Sequence, residues 1–195
     1  MDSFYSRNEL DQLGLTLLGK GTDVLISRKA SIYGAERISI DDHVRIDDFC
    51  ILSGRITIER HVHIAAYSAL FGGNAGIKMC SFSGLSSRCA VYAISDDFSG
   101  EFLTSPMSGD KFRNVLSRPV ILERHVLVGT GSTVLPGVTI GEGSAIGSMS
   151  LVKNSLSAWG IYAGIPCKFI KPRSKRLLKY EPLFLEEISS SEQNS

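Results

Sequence analysis

Several features that would narrow the class of protein at once are scarce in this 195-residue chain. Its 21 basic and 20 acidic residues leave a net charge of +1, so no global charge favours binding to nucleic acid or to an anionic membrane. No apolar run approaches the roughly 18 residues of a membrane span, and the polar start MDSFYSRNELDQ is not typical of a signal peptide. These absences predict a soluble, cytoplasmic protein with no membrane or nucleic-acid partner.

Cysteine and aromatic residues are also few. Cys50, Cys80, Cys89 and Cys167 form no C-x-x-C pair, which disfavours both a disulfide framework and a thiolate zinc site and predicts reduced, buried thiols. Aromatic residues make up only 8% of the chain, whereas there are 19 glycines. This composition favours short strands and many turns over large packed helices.

What the chain does have is a six-residue repeat of aliphatic residues. Two unbroken series share this spacing: Ile40, Ile46, Leu52, Ile58, Ile64, Leu70, and then Leu122, Val128, Val134, Ile140, Ile146, Val152. The spacing excludes the 3.6-residue period of a helix and predicts one short strand and one corner in each hexad. Because such a unit cannot bury its inner residue alone, the hexads should stack as coils of a parallel β-solenoid.

The repeat is interrupted in three places. An early series, Ile26, Ile32 and Ile38, is offset by two residues from Ile40. The segment FGGNAG, residues 71–76, predicts a glycine-rich loop before a third series of Met79, Leu85 and Val91. The largest break, residues 95–118, has no hexad pattern and predicts a functional excursion loop.

The two ends predict helices outside the repeat. In residues 1–20, Ser6 followed by Glu9 forms a capping-box pattern, which predicts a short helical cap over the first coil. The β-helix domain should then span residues 21–172. In residues 173–195 we expect a helix from Ser174 to about Ile188, interrupted by Pro182, and a disordered tail, SSSEQNS.

These hexads and the closing segment YAGIPCKFIK, residues 162–171, resemble the hexapeptide-repeat acyltransferases. The resemblance implies an all-β fold, a left-handed parallel β-helix with three hexads per coil. It also implies a homotrimer that binds acyl-CoA between subunits, without a metal. Cys167 stands where the family's closing motif has alanine.

Two further stretches narrow the resemblance. FYSRNELDQLG near the start and RISIDDHVRIDDFCILSG at residues 37–54 are similar to bacterial N-acyltransferases of nucleotide-linked amino-dideoxy sugars. The implied reaction moves an acyl group, expected to be acetyl, from acyl-CoA to the amino group of a dTDP-linked sugar used for O-antigen or another surface polysaccharide. The position of the amine and the choice of dTDP over UDP or GDP stay open.

Asp96 departs from the pattern of the family's sugar O-acetyltransferases, which carry a catalytic histidine at this point. A hydroxyl must lose its proton as it attacks, whereas a neutral amine is already nucleophilic, so the absence of histidine favours an amine acceptor. Asp96 is therefore the candidate catalytic residue. It would orient the amine, or act as a base if burial between subunits raised its pKa. A loop cap is the alternative.

The candidate substrate-binding residues are Ser86, His63 and Asp97. Each has a plainer interpretation: Ser86 as a corner hydroxyl bonded to backbone, His63 as an exposed side chain and Asp97 as a loop cap. The other histidines, His43, His61 and His125, share one corner position and should be exposed, and His43 and His61 should stack because they lie 18 residues apart. Their spacing lacks the three-histidine zinc pattern of the γ-class carbonic anhydrases.

The candidate acyl-CoA contacts lie in the last hexads and the closing segment. They combine small residues that admit an extended pantetheine arm, neighbouring hydroxyls and lysines suited to phosphate. They are Gly129, Thr130, Gly147, Ser148, Lys153, Pro166, Lys168 and Lys171.

The basic run over residues 168–179 has two interpretations. It is a phosphate pocket, or a solvated face balanced by Glu181, Glu186 and Glu187, while RNA binding is disfavoured because aromatic residues are not interleaved with the cations. At the level of function, the rivals are a sugar O-acetyltransferase and a non-catalytic solenoid scaffold.

Overall fold

Each hexad folds into a short strand and a tight corner, because its aliphatic side chain turns inward and the residues that follow reverse the chain. The structure is a computed structural model that describes residues 3–192. Its strands, in chain order, are β1 Thr16–Leu17, β2 Leu25–Ile26, β3 Ser31–Tyr33, β4 Ile38–Ile40, β5 Arg45–Ile46, β6 Ile51–Ile58, β7 His63–Ile64, β8 Ala69–Met79, β9 Gly84–Leu85, β10 Ala90–Tyr92, β11 Ile94–Ser95, β12 Leu116–Ser117, β13 Val120–Leu122, β14 Leu127–Val128, β15 Thr133–Val134, β16 Thr139–Ile140, β17 Ala145–Ile146, β18 Leu151–Val152, β19 Gly160–Ala163 and β20 Lys168–Pro172.

The strands stack in parallel register into a β-solenoid with three faces. On face 1, β2, β5, β7, β9, β14, β17 and β19 follow one another, and Ile46 pairs with Ile64 of the next coil. On face 2, Leu52 pairs with Leu70, and on face 3 Leu122 pairs with Ile140. The 18-residue step between such partners confirms that three hexads close one coil.

The core is a column of aliphatic side chains inside these three faces. Every residue of the two long hexad series is at most 3% exposed. The small residues four places later are buried as well, and the hydroxyl of Ser68 donates to the carbonyl of Ser86 at 3.0 Å. Ser132 repeats this arrangement with the carbonyl of Gly147 at 3.1 Å, so these two hydroxyls are satisfied by backbone, whereas the buried hydroxyl of Ser83 has no partner within residues 3–192.

The two smaller interruptions are absorbed without leaving the solenoid. Ile26 pairs with Ile46, 20 residues on, so the early offset is taken up within one coil. The expected loop at residues 71–76 is wrong, because this segment lies inside β8 and pairs with β6. The positive φ values of Gly73 and Gly76 let the strand bulge while its ladder continues.

The largest interruption does leave the solenoid. The chain departs along β11 and returns along β12, which pairs with β11 in antiparallel register, Ile94 opposite Ser117. At this neck the amide of Arg118 donates to the carbonyl of Ala93 at 2.9 Å. Val91 meanwhile stacks on Val134 of the following coil, so the ladder closes beneath the excursion as if it were absent.

The N-terminal helix, α1 Arg7–Leu13, has the expected capping box: the Glu9 carboxylate accepts hydrogen bonds from the amide and hydroxyl of Ser6 at 2.8 and 2.7 Å. Leu10 inserts into the core beneath it.

The C-terminal helix, α2 Tyr180–Glu192, begins later than Ser174, after a 3-10 turn at Arg176–Lys179. Pro182 does not interrupt it, because it lies in the first turn, where no amide is needed. The helix includes residues 189–192, so the expected tail is helical there, and residues 193–195 lie outside the described part. No helix in residues 3–192 is long and apolar enough to cross a membrane.

Candidate active site

A groove of about 860 Å³ runs along face 1 between the solenoid and the chain that leads into α2. The solenoid side is formed by outward residues of successive coils, among them His63, Ser86 and Leu127. The opposite side is formed by Leu177, Tyr180, Phe184 and the polar pair Arg173 and Glu181. Apolar walls with a few convergent polar groups are typical of a small-molecule site.

A column of stacked rings lies at a solenoid corner, and three of its four members, His61, Phe82 and His125, line the groove. His43, His61, Phe82 and His125 all have left-handed φ values between 56° and 61°. Their ring centroids follow one another at 4.8, 4.6 and 5.2 Å, which confirms the expected stacking of His43 on His61 and extends it by two coils. We refer to these four residues as the corner ring column.

The expectation that the corner histidines are exposed is wrong for His125, which is 9% exposed, and His61 is only partly exposed. The cause is α2, which covers the corner: Glu181 reaches Nε2 of His125 at 2.8 Å and also pairs with Arg124. Burial, together with the cations Arg124 and Arg173, lowers the pKa of His125. Glu181 is thus committed to the corner and does not balance the basic run.

Ser86 lies in the groove at the end of β9. Its amide donates to the carbonyl of Val128 at 2.9 Å and its carbonyl accepts from Ser68. Its hydroxyl, in contrast, makes no hydrogen bond with any residue in the described range 3–192. The interpretation of Ser86 as a hydroxyl tied to backbone therefore does not hold, and the hydroxyl is free to meet a ligand.

His63 lies in the same groove, one coil earlier, and its side chain is 53% exposed. Its Nε2 lies 2.8 Å from Oδ2 of Asp47, whose other oxygen accepts from Nε of Arg45 at 2.7 Å. Burial alone would raise the pKa of Asp47, but the hydrogen bonds from Arg45 and His63 lower it below its ordinary value. His63 is therefore held by an ionised carboxylate rather than simply solvated.

The structure does not bring Asp96 and Asp97 into this groove. Asp96 begins the excursion, 47% exposed, with its carboxylate 3.2 Å from the guanidinium of Arg113. In the isolated chain it is not buried. Asp97 accepts from the hydroxyl of Ser99 at 2.8 Å and from the amide of Gly100 at 3.1 Å, which lowers its pKa. This is the loop-capping arrangement.

Gly129 and Gly147 continue the Ser86 position in the next two coils of face 1. A Cβ on Gly129 would lie 2.6 Å from the backbone nitrogen of Ser148, and one on Gly147 would lie 3.0 Å from Cβ of Ala163. Glycine is thus needed at residue 129 for coil-on-coil packing, whatever it contributes to a cofactor. Thr130 lines the groove, whereas Ser148 is exposed outside it.

The candidate lysines are exposed near the end of the solenoid. Lys168 and Lys171 lie on β20, which pairs antiparallel with β19, and Pro166 precedes this strand after a cis peptide bond. Lys153 follows β18, and none of the three makes an ion pair within residues 3–192. They are therefore available to an anion.

The rest of the basic run is less available. Arg173 is half-buried and donates to the carbonyls of His125, Gly143 and Ser144 at 2.9, 3.0 and 3.3 Å. Lys175 lies over the ring of Trp159 at 5.2 Å. Arg173 therefore ties the chain beyond β20 to the solenoid.

Within residues 3–192 no group of three or more His, Cys, Asp or Glu side chains is placed to hold a metal ion. The four cysteines are free thiols, and burial raises the pKa of Cys50 to about 11. A thiol that resists ionisation is a poor nucleophile.

Comparison with known proteins places the chain in a family. The family described as "Bacterial transferase hexapeptide (six repeats)" matches residues 119–154. A dTDP-4-amino-4,6-dideoxy-D-glucose acyltransferase from Escherichia coli is 40% identical over 181 residues, covering 90% of this chain and 94% of the relative. The chain belongs to the hexapeptide-repeat sugar acyltransferases.

Solved structures of one relative match this acyltransferase over nearly its whole length. AntD, an N-acyltransferase from Bacillus cereus, is 50% identical, and its complex with dTDP and 3-hydroxybutyryl-CoA has a TM-score of 0.92, covering 97% of this chain and 100% of AntD. A variant of AntD in complex with dTDP-4-amino-4,6-dideoxyglucose and Coenzyme A has a TM-score of 0.91, with 96% and 99% covered.

Two partners of the candidate residues in this acyltransferase were not predicted from the sequence. Asp47 precedes His63 by 16 residues, two short of a coil, so the repeat itself places it diagonally below on the same face. That spacing is a usable signal. Arg113, the partner of Asp96, lies within the excursion, where no repeat relates the two residues. No pattern in the sequence would have found it.

Proposed function

We propose that this acyltransferase moves an acyl group from acyl-CoA to the amino group of dTDP-4-amino-4,6-dideoxyglucose or a close amino-dideoxy relative. The observation that carries the proposal is the groove on face 1, lined by Ser86 whose hydroxyl has no partner within residues 3–192, in a chain of which 97% matches AntD. The amino sugar is the acceptor and the thioester is the donor, so the protein needs no metal or covalent intermediate.

The spacing of Ser86 and Asp96 supports their assignment to the site. Solved AntD variants replace one serine by cysteine, alanine or threonine. Others replace an aspartate, ten residues further along, by alanine or asparagine. Ser86 and Asp96 have the same ten-residue separation. We take Ser86 as a hydrogen-bond partner of the substrates and Asp96 as the carboxylate that holds the amine.

The chemistry agrees with an amine acceptor. The neutral amine attacks the thioester carbonyl, the tetrahedral adduct loses a proton from nitrogen, and the C–S bond breaks to release coenzyme A as its thiolate. A carboxylate such as Asp96 binds the ammonium form and orients it as the proton departs. The developing oxyanion needs donors, and the Ser86 hydroxyl is a candidate for this role.

We further propose that the working enzyme is a homotrimer with sites between subunits. In one chain the groove contains Ser86 but not Asp96, and in a trimer the excursion of a second copy would bring its Asp96 to the groove. The excursion also exposes large apolar side chains, including Phe98 at 94% and Met107 at 91%, which a subunit interface would cover.

The acyl-CoA would then lie along the last coils. Thr130, Gly129 and Gly147 would border the pantetheine arm, and Lys153, Lys168 and Lys171 would meet its phosphates. Ser148 and Pro166 would border the same path. The product would supply a surface polysaccharide such as O-antigen, with the enzyme in the cytoplasm, where acyl-CoA and nucleotide sugars are available.

The test is release of free coenzyme A with a panel of acceptors that share one dTDP-deoxyhexose frame. The acceptors carry an amine at C4, an amine at C3 or a hydroxyl, and the donors are acetyl-CoA and 3-hydroxybutyryl-CoA. We expect turnover with one amino sugar and none with its hydroxyl twin. Turnover only with the hydroxyl sugar would indicate an O-acyltransferase, and no binding of coenzyme A would indicate a scaffold.

Matched variants locate the site within the same assay. Asp96→Asn removes the charge proposed to hold the amine, and Ser86→Ala removes the free hydroxyl. Asp110→Asn is the control, because its carboxylate also faces Arg113, at 3.8 Å, but its side chain is fully exposed. We expect the first two to lower kcat by at least tenfold and the control to match wild type.

A further inference from the structure

The groove contains a histidine, His63, to which the proposed reaction gives no role. His63 lies on its solenoid side, and Asp47 holds the ring from the coil below at 2.8 Å. Arg45 fixes the other carboxylate oxygen, and Asp47 is only 19% exposed. We call His63 and Asp47 the groove dyad. An imidazole oriented by a largely shielded carboxylate is the usual arrangement of a protein proton acceptor.

The position of the dyad suits the substrate defined by Ser86. His63 pairs with Gly84 in the next coil, and Ser86 lies two residues further along the same strand and its corner. Strand spacing and rise place the two Cα atoms roughly 8 Å apart. A reacting amine and thioester carbonyl fit between two side chains at this separation. Nδ1 of His63 makes no hydrogen bond within the described residues, so it is open to the groove contents.

We infer that His63, held by Asp47, accepts the proton that the substrate nitrogen loses during acylation. The inference rests on the proposed function. In the adduct, nitrogen carries a positive charge and its N–H bond breaks as the proton passes to Nδ1. The C–S bond then breaks, the thiolate leaves, and the imidazolium returns the proton to the thiolate or to water. The sum is amine plus thioester giving amide plus thiol.

This role divides the work with Asp96. A carboxylate beside the amine favours the ammonium form, which orients the substrate but retains its proton. A neutral imidazole on the other side removes that proton once nitrogen has become acidic through attack. The other titratable groups around His63 are Arg45 and Asp47 below it, His61 on its own segment, His125 at the same solenoid corner two coils on, and Arg173, Tyr180 and Glu181 across the groove.

The test compares kcat and KM across pH 6–9 for wild type, His63→Gln, Asp47→Asn and His43→Gln. General base catalysis contributes 10²–10⁴-fold, so we expect His63→Gln to lower kcat by about 100-fold with little change in the KM of acyl-CoA. Asp47→Asn should lower kcat by about tenfold, because a mis-oriented imidazole is a weaker acceptor. His43→Gln is the control: it also removes a histidine paired with a carboxylate, Asp23 at 3.2 Å, but lies outside the groove.

Two readouts separate a proton acceptor from a merely structural residue. The dependence of kcat on pH should differ between wild type and His63→Gln, because only wild type carries an imidazole that can accept a proton at this position. In His63→Ala, added imidazole should restore part of the lost kcat.

A His63→Gln protein with wild-type kcat and pH profile would overturn the inference alone. Absence of coenzyme A release by wild type with every amino sugar would overturn the proposed function as well.

Discussion

Phe184 of α2 meets the ring of His61 edge-on, with centroids 5.3 Å apart and planes inclined by 70°. The same phenyl ring contacts Phe82 at 6.2 Å, so one side chain of the helix rests on two coils of the corner ring column. This contact holds α2 against the solenoid. Because α2 and the turn before it form the second wall of the groove, the contact helps to shape the groove. Its shape therefore depends on how firmly α2 is docked.

Phe184→Ala should loosen α2 without unfolding the solenoid. An aromatic pair contributes roughly 0.5–1.5 kcal/mol beyond buried area, so loss of two such contacts should speed amide exchange in α2 by about tenfold. Exchange in the core strands should not change. Leu183→Ala is the control, because Leu183 is 61% exposed and has no part in the ring column. Equal exchange in both variants would show that Phe184 does not dock the helix.

The ring column should make stability fall in mild acid. Burial, His43 and Arg60 lower the pKa of His61 from 6.5, while Asp41 opposes them. A group with a lowered folded pKa binds more protons in the unfolded chain, so its contribution is complete above about pH 6.5 and is lost as the pH falls toward the folded value. Thermal unfolding midpoints at pH 7.5 and 5.5 should show this loss.

His61→Phe is the matched variant for that pH effect. Phe82 adopts nearly the same left-handed φ in the same column, so a phenyl ring is compatible with this corner. The variant should keep the stacking and show a smaller difference between the two pH values than wild type. An unchanged difference would assign the acid sensitivity to other groups.

Gly129→Ala should destabilise the fold. The new Cβ would meet the backbone of Ser148 at 2.6 Å, which no side-chain movement relieves. Overpacking of this kind costs about 2 kcal/mol, or a fall of about 6 °C in Tm for a chain of this size. Gly84→Ala is the control, because its Cβ would meet only the carbonyl of His63 at an ordinary 3.4 Å. If both variants melt with wild type, close coil packing does not require glycine at residue 129.

Lys168→Ala and Lys171→Ala should weaken the binding of acyl-CoA without slowing acyl transfer. Charge-assisted contacts to phosphate support binding, so we expect the KM of acyl-CoA to rise by about tenfold at constant kcat. The effect should shrink in high salt. Lys175→Ala, whose ammonium rests on Trp159, should behave as wild type. A fall in kcat with no change in KM would move these lysines out of the phosphate site.

The solenoid was predictable because a six-residue period leaves little choice of fold. The 18-residue spacing of Ile46 and Ile64 predicts that they pair in successive coils. The same spacing predicts the stacking of His43 on His61. Phe82 and His125 belong to the same column, yet the three extra residues within β8 and the excursion hide their relationship. A period identifies a column only where nothing has been inserted.

The groove was less predictable because its second wall comes from outside the repeat. Its position depends on Glu181 reaching His125 and on Phe184 reaching His61, contacts that no spacing encodes. Pro182 was expected to interrupt the helix, whereas it lies in the first turn of α2, which begins at Tyr180. Asp96 could be singled out by residue type, but its pairing with Arg113 depends on loop geometry alone.

The hydrogen bond between Ala93 and Arg118 closes the neck of the excursion, so the excursion could be replaced without changing the solenoid. Val91 pairs with Val134 of the following coil beneath the excursion, so the length and sequence of the excursion can change without disturbing the aliphatic core. New acceptor preferences could therefore arise by replacing one branch while the coils that carry Ser86 and the acyl-CoA path stay as they are. Selection for acceptor preference can therefore act on the excursion separately from selection for stability of the solenoid.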